Sequence, residues 1–317
     1  MKPKLLPLHT WMAATAAGAL IMSVMLRMLA STWRWHQEPL HSAMEAIGGL
    51  AAIAMGIVLL QRTDAIGARL YPVAGGFLGM GLLESFHAVA EPGDAFIFLR
   101  SMASLAGGIG FALIWLPPSW RVSQKAGSIV WTVTAASVAF GTWVLMFPER
   151  IPSMVRDDIF TPAAIAPQLF ACTLFLASAF HFASQYRHRG NAEDQLFASL
   201  AFLFALAEVM FVYSTVWDSR WWFWHVIRLT AYLLVLIAMI QGYRRMLSDL
   251  RHLLAQTTLA EETARLSEEQ LRDALETRER CPRISTTASS SACPRWGYVW
   301  SDVSGSCPRI RGKRSSN

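Results

Sequence analysis

Among the ionisable side chains inside this sequence's apolar runs, where a charge is costly and by default a candidate for function, eight form the candidate site. They are His41, Glu45, Glu84, His87, Arg100, Glu208, His225 and Arg228. His41 and Glu45 are four apart, and Glu84/His87 and His225/Arg228 are three apart, so each pair shares one face of a helix. His41, His87 and His225 supply the imidazoles of a transition-metal site, with carboxylates or carbonyls holding the free ring nitrogens. A Glu-x-x-His pair in a bundle core (84–87) is also the unit of di-iron carboxylate chemistry. Two imidazoles can hold a haem, although the sequence has no c-type attachment motif. The same residues also read as buried ion pairs, Glu45, Glu84 and Glu208 against Arg100 and Arg228, or as the polar anchors of a small, quinone-like ligand. At the level of residue types these readings stay open.

The elements that must position these residues are set by composition. Of 317 residues 54% are hydrophobic and 16% charged, with mean hydropathy +0.34, where soluble domains run nearer a quarter charged. That describes an integral membrane protein. Apolar runs of spanning length fall near 11–30, 41–60, 71–90, 97–116, 127–147, 164–183, 195–216 and 222–242. The expected fold class is all-α, a polytopic transmembrane bundle of about eight spans over residues 1–242. The fourth span reads as the weakest because Arg100 lies inside it. Clustered glycines on the third and fourth spans (Gly75, Gly76, Gly79, Gly81, Gly107, Gly108, Gly110) read as close helix packing.

Loop charges set the orientation. With the N-terminus inside, inner segments carry ten Lys/Arg and outer loops four, which puts both termini in the cytoplasm. In that frame the eight residues, with Tyr213, share one depth within roughly 15 Å of the outer boundary, at 1.5 Å per helical residue. Trp33, Trp35, Trp217, Trp221, Trp222 and Trp224 read as an aromatic belt at that boundary. Met22, Met25 and Met28 on the first span suit Cu(I) by chemistry but read as packing in lipid.

Residues 243–280 change character, with fifteen charged side chains and no Gly or Pro. Leu247, Leu250, Leu254, Leu271 and Leu275 outline an interrupted a/d seam, and Glu268–Arg272 has the favourable four-residue spacing. The expectation is a cytoplasmic helix that forms a coiled-coil homodimer through 243–280. Residues 281–317 contain no Leu and nine Ser, and hold six Lys/Arg against one Asp. The rest of the chain has 22 basic and 21 acidic residues, so the net charge of +6 is no argument for a nucleic-acid partner. Cys281, Cys293 and Cys307 lack the close pairs and His of a zinc site, and the segment reads as a disordered, frameshifted tail.

The His-Ser-Ala-Met-Glu opening (41–45), the Gly-Leu-Leu-Glu-Ser-Phe-His close (81–87), the Glu208 span and Trp-His (224–225) together resemble a known pattern. It is that of the membrane-associated (MASE-type) sensor domains of bacterial histidine kinases and diguanylate cyclases, over residues 10–245. The resemblance implies a bacterial inner-membrane sensor that detects a ligand or redox cofactor at the outer face. Such a domain relays its state through a signalling helix, which Leu-Ser-Glu-Glu-Gln-Leu-Arg (266–272) looks like. No kinase or cyclase signature follows residue 280, and His252 lacks the acidic neighbour of a phosphorylation box. As it stands the chain is therefore not expected to catalyse. The alternative is a transporter or membrane redox enzyme using the same His/Glu cluster, with a metal or haem as its unidentified cofactor.

Overall fold

The computed structural model describes residues 8–61, 70–116, 125–157 and 159–280. Eight long helices follow the expected runs closely: α1 (Leu8–Leu29), α2 (Glu38–Leu60), α3 (Tyr71–Val89), α4 (Asp94–Ala112), α5 (Lys125–Met146), α6 (Pro162–Arg189), α7 (Ala192–Val212) and α8 (Ser219–Arg280). The boundaries have local causes. Proline occupies the first turn of α2, α3 and α6, where its missing N–H is no loss. Between α6 and α7, Gly190 takes the left-handed conformation that closes α6, and Asn191 Oδ1 then caps α7 by accepting from the Glu193 amide.

Seven of these helices are long and apolar enough to cross a membrane. The one that falls short is α3, and not α4, so Arg100 did not mark the weakest span. Arg100 is buried against a carboxylate, whereas α3 carries Glu84, His87 and four glycines that lower its hydropathy. Packed against α2, α4 and α5, α3 meets protein along most of its length and has little need of a lipid-facing surface. Glycine makes that packing possible. A Cβ on Gly110 would lie 2.2 Å from the Gly76 Cα, so α3 and α4 touch backbone to backbone. Likewise a Cβ on Gly81 would lie 2.6 Å from the Gly49 carbonyl oxygen, which holds α2 against α3.

By contrast α1 is peripheral. Its apolar window is 6% buried, and Met22, Met25 and Met28 are exposed side chains on a helix that contacts α7. Four connecting loops meet at one end of the bundle. Trp35 donates its amide to the Trp217 carbonyl, the backbones of Arg34 and Asp218 form an isolated antiparallel bridge, and Asp94 Oδ1 accepts from the Met154 amide at 2.6 Å. A short antiparallel strand pair there, β1 (Val155–Arg156) with β2 (Ile159–Phe160), is the two-stranded sheet among the described residues of an otherwise helical fold.

The chain divides at Arg251/His252 into two units. The second is helical to Arg280 and, in this single chain, exposes Leu253, Leu254, Leu259, Leu266, Leu271 and Leu275. Ion pairs along it include Arg265–Glu269 at 3.8 Å and Arg272–Glu276 at 3.6 Å, so Arg272 pairs forward along the helix. Residues 281–317, with the expected frameshifted tail and its three cysteines, lie outside the described residues.

Candidate functional site

All eight sequence-selected residues are buried, from 0% to 4% exposed, at the end of the bundle where the four loops meet. They form two groups. In the larger, α2 supplies His41 and Glu45, α3 supplies Glu84 and His87, and α8 supplies His225 and Arg228. His225 Nε2 lies 3.1 Å from His41 Nε2 and 3.2 Å from Glu45 Oε1. One Arg228 nitrogen contacts Glu45 Oε2 and reaches Glu84 Oε1 at 3.0 Å. The second group joins Arg100 and Ser104 of α4 to Glu208 of α7. Arg100 contacts Ser104 and lies 3.2 Å from Glu208 Oε1, which also accepts from the Ser104 hydroxyl at 2.8 Å.

Backbone carbonyls aim two of the imidazoles. His225 Nδ1 donates to the Trp221 carbonyl at 2.6 Å, one turn back on the same helix. His87 Nδ1 donates to the Phe96 carbonyl of α4 at 2.7 Å. In each neutral ring Nε2 then carries the lone pair, as a metal ligand or proton acceptor requires. His87 Nε2 is buried and has no hydrogen-bond partner, nor have Glu84 Oε2 and Arg228 Nη1. His41 packs edge-on to both other imidazoles, with ring centroids 5.1 Å from His87 and 4.8 Å from His225.

Several residues at the site were not singled out from sequence. Tyr232, fully buried, donates its hydroxyl to Glu84 at 3.0 Å. It lies four residues past Arg228, so the four-residue spacing that pairs His41 with Glu45 would have found it. Ser104 is likewise four past Arg100. Tyr213, placed at this depth by sequence, is 66% exposed. The tryptophan belt also divides: Trp33 and Trp35 are exposed, but Trp221 and Trp224 are buried walls of the site. Trp221 lies against His225 at 3.9 Å, and the Trp224 ring takes the guanidinium of Arg100 at 4.9 Å and of Arg228 at 5.4 Å. Trp224 thus joins the two groups. At the loop end Trp217 holds a left-handed φ of 67°, and its ring packs on Trp221 and His36.

A family model described as a membrane-associated sensor domain, MASE3, matches residues 32–243. The chain belongs to the MASE3 family. The match opens just before α2 and closes on α8, and all eight site residues fall within it. Of the described helices α1 lies outside the matched region, as does α8 beyond residue 243, which fits the peripheral packing of α1. Comparison with curated proteins and with solved structures found no match. With its apolar helices, the MASE3 region is a multi-pass membrane sensor domain.

Proposed function

We propose that the buried His/Glu/Arg cluster is the sensory site of this MASE3 domain, and that α8 relays its state to a cytoplasmic kinase or cyclase. The observation that carries this reading is the membership of α8. His225, Arg228 and Tyr232 lie on one face of that helix and hold Glu45 and Glu84 of α2 and α3. A ligand that redistributes those contacts changes the preferred position of α8, and packed helices shift between discrete arrangements. Residues 243–280 then act as the signalling helix of a parallel homodimer, where the exposed leucines find their partners.

Two further observations support a binding role over a purely structural lock. Arg100, Ser104 and Glu208 join α4 to α7 yet leave Arg100 Nε and Glu208 Oε2 buried without a partner. The larger group likewise leaves polar atoms of His87, Glu84 and Arg228 unsatisfied, which a buried structural cluster does not normally do. The loop charges support an inner-membrane orientation with this end of the bundle outward. The composition of residues 281–317 supports a frameshift after Arg280. The output half is tested by translating the gene's other two frames beyond codon 280. A kinase phosphorylation box or a cyclase signature is expected in one of them. An uninterrupted tail with neither signature in any frame contradicts the reading.

A further inference from the structure

We infer that His41, Glu45 and His225 form a binding site for one divalent first-row transition-metal ion. The inference rests on reading the cluster as the sensory site and names the chemical class of what it holds. Three atoms carry it: His41 Nε2, His225 Nε2 and Glu45 Oε1, separated by 3.1, 3.2 and 3.9 Å. The circle through the corners of that triangle has a radius of about 2.0 Å, the length of a Zn–N or Zn–O bond. One ion therefore reaches all three atoms with little movement of the side chains.

The surroundings agree with a metal. Without one, two imidazole nitrogens 3.1 Å apart can share at most one proton, and the Nδ1–H bond to Trp221 already fixes His225 with its Nε2 lone pair inward. A carbonyl holding the remote nitrogen of a ligating imidazole is the usual outer support of a metal site. Arg228 occupies Glu45 Oε2 and so presents Oε1 to the ion. His87 stands beside the site with an unpartnered, buried Nε2, available for an open coordination position. Two imidazoles with one carboxylate suit Zn²⁺, Fe²⁺, Co²⁺ or Ni²⁺, whereas Mg²⁺ and Ca²⁺ want oxygen and Cu(I) wants sulfur. A cavity of about 160 Å³ runs between His41 and the exposed carboxylates Glu38 and Glu91, an acidic mouth on the loop side. Neither Glu45 nor His225 lines that cavity, and its volume is below the 300 Å³ or so of even a small organic-ligand pocket, which suits an entry path for an ion.

The test uses the full chain in lipid nanodiscs, stripped with chelator and titrated with Co²⁺, with uptake read by elemental analysis and by visible d–d absorption. About one tightly bound Co²⁺ per chain is expected, displaced by Zn²⁺. His41→Ala and His225→Ala should each weaken binding by more than about tenfold, while His252→Ala leaves it unchanged. Because an alanine here can also perturb folding, His225→Cys provides a positive signature, a thiolate-to-cobalt charge-transfer band. A wild-type chain that retains no Co²⁺, or alanine variants that bind as wild type does, would overturn the inference. The sensory reading is separated by cysteine cross-linking of residues 250–275. Cross-linking that responds to Arg228→Met in a chain that binds no metal keeps the sensor and removes the ion. Metal binding that leaves cross-linking unmoved keeps the ion and removes the sensor.

Discussion

Arg228 is the residue on which the site depends most, because its guanidinium faces two carboxylates on two other helices. Replacing it by Met keeps the volume but leaves the buried Glu45 and Glu84 without their guanidinium partner. The expected loss of stability is about 3–5 kcal/mol, the usual cost of breaking a buried pair from one side. Tyr232→Phe removes one hydrogen bond to Glu84 and should cost only about 1–2 kcal/mol. Thermal unfolding of both variants in the same detergent checks the order. Adding Glu84→Gln to Arg228→Met should recover part of the loss, and equal effects of the two single changes would contradict the assigned contacts. The eight charged positions were legible in the sequence because a charge in an apolar run is conspicuous. Tyr232 and Ser104 were not, since a tyrosine or serine in a membrane helix is ordinary until its four-residue spacing from an arginine is considered. Nor could spacing along single helices show that Arg100 pairs with Glu208, away from the histidines, because helix-to-helix neighbours are set by packing.

At the scale of elements, the helices were visible as apolar runs because backbone hydrogen bonding in lipid leaves a long hydrophobic segment little choice but helix. The arrangement around α3 was only half visible. Its glycines announced close packing, but the partner faces emerge only where Gly76 meets Gly110 and Gly49 meets Gly81. Trp221 and Trp224 were misjudged for a related reason: at a membrane boundary Trp suits both a lipid belt and the wall of a buried site, and only packing separates them. The glycine contacts make a measurable distinction. Gly110→Ala forces α3 and α4 apart and should destabilise by about 1–3 kcal/mol, the range for overpacking. Gly242→Ala, where an added Cβ meets nothing within 4 Å, should instead stabilise α8 by about 0.5–1 kcal/mol. Unfolding midpoints of opposite sign are expected, and two changes of the same sign would contradict the close approach.

For the whole molecule, the account requires that the state of the buried cluster be read at the far end of α8. The most direct measurement is disulfide cross-linking in membrane vesicles, with the four native cysteines replaced by Ser and single cysteines placed in turn at each position from 250 to 275, the seam positions Leu250, Leu254, Leu271 and Leu275 among them. In the wild-type background, cross-linking strongest at the seam positions is expected, as in a parallel dimer. Arg228→Met or Glu45→Gln should move the maximum to other positions, because either change releases α8 from α2 and α3. A pattern identical in all three backgrounds, or no cross-linking at any of the four positions, would contradict the claim that this site controls the signalling helix.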